Sequence, residues 1–95
     1  MEAIAERRVT TGGLTIVVRD RPGGEPALLA LHGLASNARW WDLVGRELGA
    51  AHRVIAPDLR GHGRSDRPET GYDFDSVVGD LRSVVTELHP APLVV

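Results

Sequence analysis

LLALHGLASNARWWDLV (residues 28–44) joins a wholly apolar run to a His–Gly step, a short polar loop and the start of an amphipathic pattern. Ala27–Leu31 carries no polar position, and an unbroken apolar run of this length suits a strand covered on both faces. Past the loop, Ser36 or Asn37 is placed to cap a helix. On that helix Trp41, Val44 and Leu48 fall at i, i+3 and i+7, and Gly49 closes it. Strand, polar turn and helix therefore follow one another directly, which is the unit from which parallel sheets are assembled.

Working outward, VTTGGLTIVVRD (residues 9–20) reads as two short strands around a Gly12–Gly13 turn, and RPGGEP (residues 21–26) as a loop. Downstream, Arg53–Pro57 is another short apolar strand, and 58–71 is a long loop rich in Gly and Arg. From Asp73 the apolar set Phe74, Val77, Val78, Leu81, Val84, Val85 and Leu88 makes one helical stripe, stopped by His89–Pro90. Pro92–Val95 begins a further buried-type strand. The order β-β-β-α-β-α-β predicts an α/β fold with a mostly parallel sheet and right-handed crossovers after an antiparallel start. The loops at residues 32–37 and 58–66 each follow a strand, so both belong to the edge where such sheets bind ligands.

Composition narrows the class. The chain has 95 residues, 42% of them hydrophobic and 25% charged, which is the balance of a globular domain rather than a disordered one. Its formal net charge of −2 gives no electrostatic reason to expect nucleic acid or an anionic membrane as partner. There is no cysteine, which excludes disulfides and thiolate metal sites. The first ten residues hold no apolar signal-like core, and no run approaches the roughly 18 apolar residues of a membrane span. The expectation is a cytoplasmic protein.

The chemistry of the two loops stays open on this basis. His32–Gly33–Leu34 is either a tight turn with a buried, hydrogen-bonded histidine or a source of backbone donors for an acyl-transfer oxyanion. On periodicity alone the turn is the simpler account. Asp58–Asp66 has Gly61 and Gly63 but not the GxxxxGK[ST] pattern of a phosphate loop, which speaks against a small nucleotide-binding domain. His32, His52, His62 and His89 lack the HxxxH or HExxH spacing of metal ligands, so neither metal nor cofactor is expected. The carboxylates of Asp73, Asp75 and Asp80 read as helix cap and solvent face. For His62 as a general base, no serine or cysteine is placed to be its nucleophile.

LLALHGLASNARWWDLV, followed by RVIAPDLRGHGRSDRP and the YDFDSVVGDLRSVV helix, resembles the N-terminal part of an α/β-hydrolase-fold protein, from the first hairpin into the fifth strand. The resemblance implies that His32–Gly33–Leu34 is the oxyanion loop, with the backbone N–H of Leu34 as one donor. It implies that Asp58, Arg60, Gly61, Gly63 and Ser65 belong to a loop bracing it, which makes His62 structural. Trp41 then lies in the core, and Trp40 is a candidate for the border of the substrate pocket. Members of the family carry a G-x-S-x-G nucleophile elbow after strand five, then an acid and a late histidine. Residues 1–95 contain none of these and are expected to be a partial domain, marginally stable and inactive alone. The intact enzyme is expected to cleave small, fairly apolar esters or lactones through a serine acyl-enzyme. The alternative is a non-catalytic relic or half-domain that associates with a partner chain through its open strand edge.

Overall fold

The computed structural model describes residues 4–33, 35–89 and 93–95. The Gly12–Gly13 turn, with both residues at positive φ, folds β1 (Ala5–Thr11) back on β2 (Leu14–Arg21). This antiparallel hairpin is in register from Ala5 opposite Asp20 to Thr11 opposite Leu14. Next come β3 (Ala27–Leu29), β4 (Val54–Pro57) and β5 (Leu93–Val94), and the five strands lie in the order β1-β2-β4-β3-β5. A 3-10 turn (Ala38–Trp41) and α1 (Asp42–Leu48) connect β3 to β4, and α2 (Phe74–Leu88) precedes β5. The expected element order is thus the observed one.

The sheet is mixed rather than mostly parallel. β3 runs parallel to β4 and β5, but β1 with β2 and β2 with β4 are antiparallel. The hairpin is the cause: reversal at Gly12–Gly13 leaves β2 running against β4, and β2 is the longest strand. β3 also stops earlier than the apolar run, although Ala30 N–H still reaches the Ile55 carbonyl at 2.9 Å.

Both faces of the sheet are apolar, as the unbroken runs require. Val9, Ile16, Val18, Ala27, Leu29 and Ile55 point to one side and pack with Val84 of α2. Leu28, Ala30, Val54 and Ala56 point to the other and pack with Ala38, Trp41 and Leu48. Neighbouring positions of β3 and β4 thus serve opposite faces, the period of two that a strand imposes.

Asn37 caps the 3-10 turn, its side-chain oxygen accepting the Arg39 N–H at 2.9 Å. The buried stripe of the following segment is Trp41, Gly45 and Leu48, whereas Val44 is exposed. A side chain at 45 would run into Arg21, so this helix lies closer to the sheet than the Trp41–Val44–Leu48 pattern allows. Asp73 caps α2 by accepting the Ser76 N–H at 3.0 Å, and His89 ends the helix at φ 45. Phe74, counted in the apolar stripe, is 81% exposed at the first position of α2. No helix among the described residues is long and apolar enough to cross a membrane.

Candidate active site

β3 and β4 are parallel neighbours, so the segments leaving their carboxyl ends emerge side by side. Residues 58–66 are held first to the sheet itself. Asp58 N–H donates to the Val17 carbonyl (2.8 Å), and Asp66 N–H donates to that of Thr15 (3.0 Å). Buried Ser65 joins the two strands: its Oγ accepts the Val17 N–H at 2.8 Å and donates to the Asp58 carbonyl at 2.5 Å. Thr15 N–H completes the set by donating to the Asp66 carboxylate at 2.9 Å.

The buried Asp58 carboxylate works in two directions. It accepts the Ala38 N–H at 2.7 Å, gripping the far end of the 32–38 loop, and the Arg64 N–H at 3.0 Å, closing its own loop. Gly63 sits at φ +51, and a Cβ there would collide with this carboxylate. Only glycine combines that backbone conformation with that approach. Asp58, Gly63 and Ser65 are therefore packed and hydrogen-bonded as one unit.

Arg60 fixes the same loop to α2. Its Nε and Nη2 donate to the two carboxylate oxygens of Asp80 at 2.6 and 2.7 Å, and Nη1 donates to the Gly71 carbonyl at 2.7 Å. Asp80 is buried and is not a solvent-face carboxylate. The sequence held a signal for this: Asp80 falls three residues after Val77 and four before Val84, inside the apolar stripe. A carboxylate so placed needs a buried partner. Gly61 (φ +80) has no room for a side chain against the Tyr72 ring. Arg67 donates to the carbonyls of Gly61 and Gly63 at 2.9 and 3.1 Å, a tie that nothing in the spacing announced.

The two histidines cross between the loops. His32 Nε2 accepts the Leu59 N–H at 3.0 Å while its Nδ1 meets the Gly33 carbonyl at 2.7 Å. His62 Nε2 accepts the Ala35 N–H at 3.2 Å, with Nδ1 3.0 Å from the Arg60 carbonyl. A carbonyl only accepts and an amide N–H only donates, so the Nδ1–H tautomer of each ring satisfies both of its contacts. Both nitrogens of His62 are engaged in holding backbone, and it has none left for proton transfer.

Leu34, the expected oxyanion donor, lies outside the described residues. Its neighbours are placed: Ala35 has φ 60, and Gly33 has open space where a Cβ would stand, without positive φ. Among the described residues of the loop, the left-handed step is at Ala35 and not at Gly33. Trp40 is 65% exposed and meets Trp41 edge-on, with ring centroids 5.2 Å apart. Among the described residues no group of three or more His, Cys, Asp or Glu could hold a metal ion.

Two backbone loops stitched together at the carboxyl ends of adjacent parallel strands coincide with a known family. Its model, described as alpha/beta hydrolase fold, matches residues 26–95. This chain belongs to the α/β-hydrolase fold family. The 2-(acetamidomethylene)succinate hydrolase of Mesorhizobium japonicum is 38% identical over 82 residues, covering 86% of this chain and 29% of that enzyme. Epoxide hydrolase 4 of Mus musculus is 36% identical over 67 residues, 68% of this chain and 19% of its own length. An esterase structure from Exiguobacterium antarcticum superposes with a TM-score of 0.86 at 30% identity, covering 94% of this chain and 34% of the esterase. The hydrolase-fold chain thus spans less than a third of the length of the curated relatives it matches.

Proposed function

We propose that residues 1–95 form the oxyanion side of a serine hydrolase acting on esters or lactones of small, fairly apolar molecules. The observation that carries this is the stitching of residues 32–38 to residues 58–66. Three hydrogen bonds, at Leu59 N–H, Ala35 N–H and Ala38 N–H, tie His32, Ala35 and Ala38 to the second loop. A donor aimed at a developing oxyanion must be fixed before reaction, and one well-placed donor contributes about 3 kcal/mol. The Leu34 N–H fills that role in this proposal, and Trp40 borders the pocket. Likeness to the esterase supports ester chemistry, and the epoxide hydrolase names the main competitor.

The second oxyanion donor, nucleophile, acid and base belong to segments other than residues 1–95, which contain no G-x-S-x-G. The 95-residue chain by itself is accordingly inactive. With p-nitrophenyl acetate it gives no hydrolysis above a heat-treated control, whereas the same residues joined to a segment carrying the serine elbow do. Serine-dependent turnover by residues 1–95 alone overturns the assignment. An aspartate at the elbow centre of the adjoining coding sequence moves the chemistry to epoxide or haloalkane opening.

One observation favours a second role, association of this half-domain with another chain. β5 is an edge strand, Val94 and Val95 are exposed, and a groove of about 240 Å³ beside it is lined by Leu28, Trp41, Val44, Leu48 and Val94. A strand added along β5 would pair its backbone and cover that groove. Light scattering giving one defined oligomer supports this role; a monomer or polydisperse aggregate counts against it.

A further inference from the structure

His32 leaves the end of β3 and reaches the backbone after β4; His62 sits after β4 and reaches the backbone after β3. Each ring bridges two backbone groups, and in each the bond that crosses between the loops uses Nε2 as acceptor, toward Leu59 N–H and Ala35 N–H. The rings lie 4.9 Å apart, centroid to centroid, tilted by 55°. An imidazolium has a proton on both nitrogens and accepts at neither. Charging either ring therefore turns a cross-loop hydrogen bond into two donors facing each other, and charging both adds like-charge repulsion at close range.

We propose that His32 and His62 are a reciprocal pair of positioning residues whose uncharged rings hold the Leu59 and Ala35 amides across the two loops, so that protonating either ring releases the amide it holds without involving any catalytic histidine. The neighbouring charged side chains are hydrogen-bonded to groups other than the two rings. Asp58 is occupied by the Ala38 and Arg64 amides, Arg60 faces Asp80 of α2, and Arg67 donates to the Gly61 and Gly63 carbonyls. Among the described residues no carboxylate hydrogen-bonds to either imidazole. No bond to a carboxylate replaces the lost acceptor, and the cross-loop contacts respond to the protonation state of both rings. That the loop so controlled is an oxyanion loop rests on the function proposed above; the latch itself does not.

Ring and amide NMR on the full chain tests this without an assay of hydrolysis. At about pH 8, long-range nitrogen–proton spectra show His32 and His62 as Nδ1–H tautomers, while exposed His89 gives the signature of an unconstrained ring. As the solution is acidified from about pH 8 until both ring spectra show a second N–H, the Ala35 and Leu59 amides lose protection from solvent exchange. Each falls about tenfold, the weight of one ordinary hydrogen bond. Ala38, held by Asp58, keeps its protection over that range. His62→Gln, which retains a side-chain acceptor with no titration, keeps Ala35 protected at both pH values, and His62→Ala loses it at both. An Nε2–H signature in either ring, or protection at Ala35 and Leu59 that does not change as the rings charge, overturns the proposal. Loss of Ala38 protection together with the other two overturns it as well, because that reports unfolding and not opening of a latch. Failure of the esterase assay leaves all these readouts standing.

Discussion

Arg60 lies flat against Asp80, twenty residues along the chain, with guanidinium and carboxylate meeting at 2.6 and 2.7 Å and both side chains largely shielded from water. Removing one partner of a buried pair strands the other charge, which costs more than the pair contributes. Asp80→Ala should lower unfolding free energy by about 3 kcal/mol in urea melts. Replacing both residues with apolar side chains should recover much of that loss. A single-site cost under about 1 kcal/mol means that the guanidinium finds water instead.

Ser65 is a smaller side chain with a comparable burden. Ser65→Ala leaves the Val17 N–H and the Asp58 carbonyl without their partner, and each orphaned buried group costs about 1–3 kcal/mol. A loss of about 2 kcal/mol or more is expected, together with faster amide exchange at Val17. Unchanged exchange there would show that the hydroxyl does not bind that amide in solution.

Gly63→Ala combines a left-handed φ with a collision against the Asp58 carboxylate. The backbone alone costs about 1–2 kcal/mol, and Asp58 must then release the Ala38 or Arg64 amide. We expect at least about 2 kcal/mol of destabilisation by thermal melt. Gly33→Ala, with open space and no positive φ, should melt within about 0.5 kcal/mol of the parent. The two alanines together separate a glycine needed for the fold from one that keeps space clear beside the site.

Asp20 sits at the other end of the sheet, between Arg53 and Arg7. Burial pushes its carboxyl upward, but the hydrogen bonds and charges of the two guanidinium groups outweigh burial and hold it below its ordinary value of 3.8. A lowered folded-state value means stability that is fully present above the ordinary carboxylate range. It drains away as pH falls from there through the folded value. Melting temperatures recorded from pH 6 downward should show this acid loss, and Asp20→Asn should flatten it. An equally steep acid limb in the variant would assign the loss to other carboxylates.

Trp40 and Trp41 are adjacent but unequal. Trp41 packs on the Ala30–Val54–Ala56 cluster, whereas Trp40 is mostly exposed. Trp40→Ala should leave stability within about 0.5 kcal/mol, and Trp41→Ala should cost at least about 2 kcal/mol. In an intact enzyme, Trp40→Ala should raise KM for apolar esters more than it lowers kcat if the residue borders the pocket. A stability loss at Trp40 equal to that at Trp41 would make it another core residue.

Much of this fold was legible because its strands are short and apolar on both sides, and period-two burial of β3 and β4 follows from that. The elbow at Gly12–Gly13, the Asn37 and Asp73 caps and the Gly49 stop were visible for local reasons, each depending on one or two residues. What the sequence leaves illegible is set by distance. The β2–β4 pairing that makes the sheet mixed depends on which strand enters the gap beside β4, and no local pattern encodes that. The Arg60–Asp80 pair was half visible, as a carboxylate inside an apolar stripe, but its partner could not be named without the fold. At the site, the Asp58–Gly63–Ser65 unit was legible only through family likeness. The crossed histidines were not anticipated, because a histidine in a Gly-rich loop carries no mark of the amide it will meet.

The loop after β4 hangs from β2 through Asp58, Ser65 and Asp66, three points on a strand already paired along its other edge. A loop anchored only at its ends can fluctuate while the body stays folded, at little free-energy cost. This one is bonded to β2, which pairs with β1 on one side and β4 on the other, so detaching it breaks bonds to a strand inside the sheet. The Asp58 and Asp66 amides, bonded to β2, should exchange their protons on the clock of global unfolding rather than on that of surface breathing. Substitutions there should register first as lower yield of folded protein and only afterwards as altered chemistry.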